Sequence, residues 1–349
     1  MALQLARAGE PHLLVERTVE TGDALCGGFL SWRTLEMLEA LGVRGETLNP
    51  DTISRVRLYA GGRVAETLLP RPARAVSRKH LDTILLQTAI DAGAAVERGV
   101  TVRTIEDGRV RLDNDTELTP EALFLANGKH DIRGVARPAA ARGADPTVGI
   151  RLRLGPRPKL TSMVRDAIEL HLFDRGYAGL VMQENDTANL CLAVHKSRLQ
   201  EAGDVERLLL ALARESPALS DRLSHRSVGS AVDAVANVPY GWRIQTGQSG
   251  LFRLGDQACV IPSLAGEGMA IAIASGSAAA NAYLGSGPEG AVAFQRAFDR
   301  RVRTPIRVAS TIWSLANGTQ SAAFMVGLAR AAPSMISFVA SATRIRPDI

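Results

Sequence analysis

The chain has 349 residues, of which 46% are hydrophobic, 22% charged and 4% aromatic. That composition excludes a disordered chain, a collagen-like repeat and a coiled coil, and the length suffices for one large α/β domain or two smaller ones. The net charge is +5, with 37 arginines and 4 lysines scattered rather than clustered. No basic stripe with interleaved aromatics is present, so no nucleic-acid partner is expected. Cys26, Cys191 and Cys259 are odd in number and widely separated, match no zinc or redox spacing, and imply no metal site. With no signal region at the start, a reducing, cytoplasmic location is expected. Residues 268–288 and 308–329 lack charge, but their Ala, Gly, Ser and Asn content reads as buried helices rather than membrane spans.

Residues 1–8 carry helical apolar spacing that Gly9 ends as a C-terminal cap, and His12–Glu16 is a short buried-type strand ending in an acid. Helix, glycine, strand and terminal acid form the second half of a dinucleotide-binding βαβ unit. Its first half, a strand with a GxGxxG turn of about 15–25 residues, would precede Met1. The spacing next predicts a helix from Trp32 to about Leu41 and strands over 53–59 and 63–69, ended by Pro70-Arg-Pro72. A helix over 77–92 capped by Ser77 follows, then strands over 95–100 and 102–105 and a hairpin at Asp107-Gly108. Ala122–Ala126 reads as a buried strand ending at Asn127-Gly128. Residues 147–154, 171–173, 177–182 and 188–194 read as an antiparallel sheet. Leu251–Leu254 delivers Gly255-Asp256, Met269–Leu284 is a small-residue helix, and 291–349 is mostly helical. The expected domains are 1–133 with 240–290, an inserted 134–239 unit, and the helical 291–349 region. The 53–72 hairpin is free to join the insertion.

The stretch from Gly250 to Gly276 carries the most chemistry: strand, acidic turn, Pro-Gly loop, helix N-terminus. Gly255 permits a tight turn and Asp256 offers a carboxylate to sugar or ribityl hydroxyls. Gly266 and Gly268 permit close backbone approach, and the free N–H groups at Met269 can face negative charge. In its order Gly255-Asp256, Pro262, Gly266, Gly268 and small-residue helix, it resembles the GD-motif segment of the para-hydroxybenzoate hydroxylase superfamily, which includes geranylgeranyl reductases. Leu13–Arg17 resembles that family's second strand, whose terminal Glu, here Glu16, would bind the adenosine ribose. Cys26-Gly27-Gly-Phe-Leu-Ser31 resembles the turn beside the cofactor in the reductase branch. Arg78 matches the helix-start arginine that reaches the cofactor's diphosphate or adenine side. Residues 124–134 resemble the segment usually reading Ala-Thr/Asp-Gly, with Asn127 in place of Thr or Asp; His130 there reads as a loop histidine held by local hydrogen bonds, the alternative being a proton donor.

The resemblance implies a Rossmann-like FAD/NAD(P)-binding domain of glutathione-reductase type, an inserted mainly antiparallel substrate domain and a helical C-terminus. It implies bound FAD, with NAD(P)H as electron donor, and site residues Glu16, Arg17, Cys26, Gly27, Arg78, Gly255, Asp256, Pro262, Gly266, Gly268 and Met269. Tyr177 stands where the reductases carry a YxWxFP-like segment, with Gly179, Val181 and Met182 replacing its later residues. Tyr177, Tyr240 and Trp242 are candidates for lining an apolar pocket, against the plainer reading of core packing. The expected reaction is hydride transfer to a C=C bond of an isoprenoid- or polyketide-like molecule. The alternatives are hydroxylation with NAD(P)H and oxygen, and a non-catalytic scaffold with an incomplete cofactor site. A tail that caps the core is expected; the alternative is peripheral lipid contact through Trp313, Phe324 and Phe338.

Overall fold

The computed structural model describes residues 1–227 and 229–345. Outside its large sheet, parallel strands come as two separate pairs. Leu13–Glu16 runs beside Ala95–Arg98, and Leu123–Leu125 beside Leu251–Arg253. Among the described residues no ladder joins the pairs. The helix Arg78–Asp91 backs this half; Ser77 Oγ accepts from the His80 N–H and satisfies one free donor of its first turn. Ala89 and Ala94 pack there against Ala2 and Leu3 of the helix Ala2–Arg7.

The largest sheet among the described residues has eight strands. Their spatial order is Val232–Val238, Thr147–Leu154, Ala188–His195, Gly176–Met182, Ala167–Phe173, Ile53–Ala60, Arg63–Ala75 and Phe29–Leu30. All neighbours are antiparallel except Ala167–Phe173 beside Ile53–Ala60. The 53–72 hairpin therefore shares one sheet with the strands between Thr147 and Val238. Pro70-Arg-Pro72 does not end it: the strand continues to Ala75. The pairing jumps from Arg55↔Leu68 to Ile53↔Ala73, so both prolines sit in an irregularity where no ladder N–H is needed.

The two-residue period of a strand sorts side chains to two faces. On Gly176–Met182, Ala178, Leu180 and Met182 enter a core with Leu208, Leu212 and Leu219 of the helices Val205–Glu215 and Pro217–Leu223. Tyr177, Gly179 and Val181 face a cavity on the other side.

That cavity is roofed by the C-terminus. The helix Gly290–Ala316 is followed by Thr319–Ala331 and Ser334–Ala342, which meet at a 114° bend. Ala322, Val326 and Ala329 pack on Ala60 and Ala65 of the hairpin, so the tail caps the core. Trp313 is only 7% exposed and packs edge-on to Tyr177 and Tyr240, which removes it from any lipid-facing set. Phe324 and Phe338 are 69% and 73% exposed. Residues 346–349 of the expected helical tail lie outside the described residues. Among those described, no single helix is long and apolar enough to cross a membrane.

Candidate functional site

The strand Leu251–Arg253 leads into Gly255, whose φ of +52° opens the turn and whose N–H donates to Ser275 Oγ at 2.8 Å. Asp256 is thereby turned into the cavity, with its Oδ2 3.3 Å from Lys129 Nζ. The Asp256 carboxylate beside it raises the Lys129 ammonium pKa, so that lysine stays charged. The turn is locked to the Asn127–Asp131 loop from below: Gln257 Nε2 donates to the carbonyls of Gly128 and His130, both at 2.8 Å. Arg137 donates to the Asp256 carbonyl at 3.0 Å.

Beyond it, Gly266 adopts the left-handed conformation at φ +67°, and a Cβ there would stand 3.0 Å from the Phe29 ring. Gly268 then opens the 19-residue helix Gly268–Ser286 with nothing within 4 Å of where its Cβ would be. The first helical hydrogen bond runs from Ile271 N–H to Glu267, so the N–H groups of Gly268 and Met269 have no carbonyl partner within the helix, and both residues line the cavity. Glu267, the fully buried residue before them, does not oppose an anion there. Its carboxylate accepts from Arg344 and from the Ile345 N–H.

The facing wall is Cys26-Gly27, pinned to the sheet: Asn189 Nδ2 donates to both of their carbonyls at 3.0 Å, and the Cys191 thiol donates to the Cys26 carbonyl. Burial pushes the Cys191 thiol up to about 12, so it remains a donor. Arg78 forks onto Asp82 at 2.9 and 2.7 Å. Burial works against its charge, but Asp82 more than offsets this and holds the guanidinium protonated.

The cavity encloses about 600 Å³, a size usual for small-molecule and cofactor sites. One end is the polar cradle just described. The other is an apolar arm between Val56, Leu58, Ile168 and Leu170 of the sheet and Met325 and Ile336 of the roof helices. At the junction Tyr177 donates to Ser263 Oγ at 2.8 Å, and the Tyr240 hydroxyl shares the same oxygen. Burial raises both phenol pKa values, so both stay protonated at neutral pH.

Of the residues singled out from the sequence, Cys26, Gly27, Arg78, Gly255, Asp256, Gly266, Gly268, Met269, Tyr177 and Tyr240 line this one cavity. Four do not. Glu16 turns back to accept from the N–H and hydroxyl of Thr18, both at 2.8 Å. Arg17 lies 3.4 Å from His130 Nε2. Pro262 caps the short turn at Ser263, and Trp242 lies under the Arg137 guanidinium at 5.6 Å. His130 is held through Asn127, whose Nδ2 donates to its carbonyl; burial, then nearby Arg17 and Lys129, lower its pKa. Sequence reasoning missed Lys129 and Ser263. Each adjoins a segment that was identified, but nothing in a linear pattern pairs Lys129 with Asp256 or seats Ser263 between two distant tyrosines. Among the described residues no group of three or more His, Cys, Asp or Glu could hold a metal.

No protein-family model and no curated protein matches the chain. Solved structures do. PqsL, a probable FAD-dependent monooxygenase from Pseudomonas aeruginosa, superposes at TM-score 0.69 and 17% identity, over 92% of this chain and 94% of its own. The halogenase PltM, one variant of which was solved in complex with FAD, gives 0.74 at 12%, over 97% and 82%. A geranylgeranyl bacteriochlorophyll reductase-like protein from Thermoplasma acidophilum gives 0.71 at 17%, over 99% and 89%. At these identities the likeness is one of fold, and the fold of this chain is the one shared by these flavin-dependent monooxygenases, halogenases and reductase-like proteins.

Proposed function

We propose that this chain is an FAD-dependent oxidoreductase acting on an apolar small molecule. The observation that carries this is the single cavity, polar at the Gly255–Met269 end and apolar between sheet and roof helices. The polar end suits a flavin nucleotide. Asp256 can accept from ribityl hydroxyls, and the unpartnered N–H groups of Gly268 and Met269 can face the negative charge of a reduced ring. Gly27 and Gly268 leave open the space a side chain would fill. Arg78 supplies a half-buried cation toward the diphosphate or adenine side. Bound there, FAD would supply hydride transfer or oxygen activation.

The chain's own residues would do the rest. The apolar arm binds and orients the substrate and excludes water. Tyr177 and Tyr240, kept protonated and joined through Ser263 Oγ, hold a proton at the junction of the two ends; when one carbon of a C=C bond accepts hydride, the adjacent carbon must take a proton, and the hydroxyls are placed to give it. This favours reduction of a C=C bond, with NAD(P)H as electron donor. The purified chain should carry visible flavin absorbance that NAD(P)H bleaches, and it should reduce an apolar alkene without oxygen. A strict oxygen requirement would reassign it as a hydroxylase. An intact fold that takes up no FAD would overturn the flavin reading altogether.

A further inference from the structure

The roof helices Thr319–Ala331 and Ser334–Ala342 are apolar on both sides. Toward the interior, Met325, Ile336 and Val339 line the cavity. On the other side Phe324 and Leu328, one turn apart, are 69% and 42% exposed, and Phe338 is 73% exposed. A capping helix needs only one apolar face. Two bulky phenyl rings left in water on helices of nine to thirteen residues call for a partner of their own.

The charge around them narrows the choice. Between Thr319 and Ala342 the one charged residue is Arg330. Arg330, in the last turn of the first roof helix, is exposed, and Arg63 donates to the Ala323 carbonyl at the same helix's flank. Two copies that present Arg330 and Arg63 to each other would repel, whereas an anionic lipid surface complements them. Short helices that present aromatic and aliphatic residues beside arginine are suited to lying in the headgroup region. We infer that this face docks on an anionic bilayer, with Phe324, Leu328 and Phe338 buried at the headgroup–acyl boundary. A helix is about 10 Å across, so the lipid would lie one helix thickness from the apolar arm. Docking itself does not depend on the flavin reading.

The test is flotation of the full chain with vesicles of phosphatidylcholine alone and of phosphatidylcholine with phosphatidylglycerol. The expected result is binding to the mixed vesicles, weakened by salt, and reduced at least tenfold in a Phe324→Ser/Phe338→Ser variant. Neither ring lines the cavity, so the variant should keep its circular dichroism spectrum and its flavin binding. No binding to anionic vesicles, or binding unchanged in the variant, overturns the inference. So does a concentration-dependent dimer that the variant dissolves, because the rings would then serve a second copy of the chain.

Discussion

Lys129 and Asp256 form an ion pair across the polar end of the cavity, Nζ to Oδ2 3.3 Å, with both side chains at least two-thirds buried. The pair joins the loop after Leu123–Leu125 to the turn after Leu251–Arg253, two strands that already run side by side. Asp256 therefore has a fixed place from which its free lone pairs can meet a ligand hydroxyl. Asp256→Asn should weaken FAD binding about 10- to 100-fold, the span of a lost charge-assisted hydrogen bond. Titration by flavin fluorescence quenching checks this; unchanged affinity would remove Asp256 from the cofactor's ligands.

Tyr177→Phe keeps the edge-on packing against Trp313 but removes the donor to Ser263. Stability should fall by only about 1 kcal/mol. If the hydroxyl row supplies the proton, kcat should drop about 100-fold with KM little changed. A variant with wild-type kcat would make the row structural.

Two adjacent glycines separate shape from binding. A Cβ at Gly28, at φ +76°, would stand 2.2 Å from Gln183 Nε2 and 2.7 Å from the Val76 carbonyl, whereas one at Gly27 meets nothing within 4 Å. Gly28→Ala should cost about 2 kcal/mol or more, read from urea unfolding. Gly27→Ala should leave stability within about 0.5 kcal/mol while weakening flavin uptake, because its methyl projects into the cavity. Equal effects in the two variants would contradict that division.

Glu169 is fully buried on the sheet face away from the cavity, where its carboxylate accepts from Arg222 at 2.9 and 2.8 Å and from Tyr59 at 3.2 Å. Burial alone would raise its pKa, but His171 and Arg222 outweigh this and lower it to about 2. A depressed carboxylate pKa stabilises the fold above the unfolded-state value and stops doing so as pH falls through the folded one. Unfolding measured from pH 5 to pH 2 should therefore lose this contribution progressively in the native chain. Glu169→Gln should be destabilised by about 3 kcal/mol at pH 7, because Arg222 keeps Asp221 and an amide acceptor but loses its buried counter-charge. The gap to the native chain should then narrow toward pH 2; a constant gap would show that the charge of Glu169 is not what matters.

Most elements were legible in the sequence because their causes are local. Ser77 caps a helix, Asp107-Gly108 turns a hairpin, and alternation along 147–154 and 177–182 marks strands with two unlike faces. The Gly255–Met269 stretch was legible for the same reason: a tight turn, a carboxylate and a helix start follow one another within 15 residues. Pro70-Arg-Pro72 misled because a proline's missing donor matters only where a neighbouring strand would use it. Whether one does depends on a register jump that the strand's own residues do not announce.

What the residues determined by themselves, then, was the set of elements and the polar end of the cavity, both built from short-range geometry. Tertiary structure alone decided the rest. It brought Tyr177, Tyr240 and Ser263 to one shared oxygen, paired Lys129 with Asp256 over 126 intervening positions, and divided Trp313 from Phe324 and Phe338 between interior and surface. These are contacts between segments far apart in the chain. Their geometry follows from how sheet and helices pack, a property of the whole molecule that no local pattern contains.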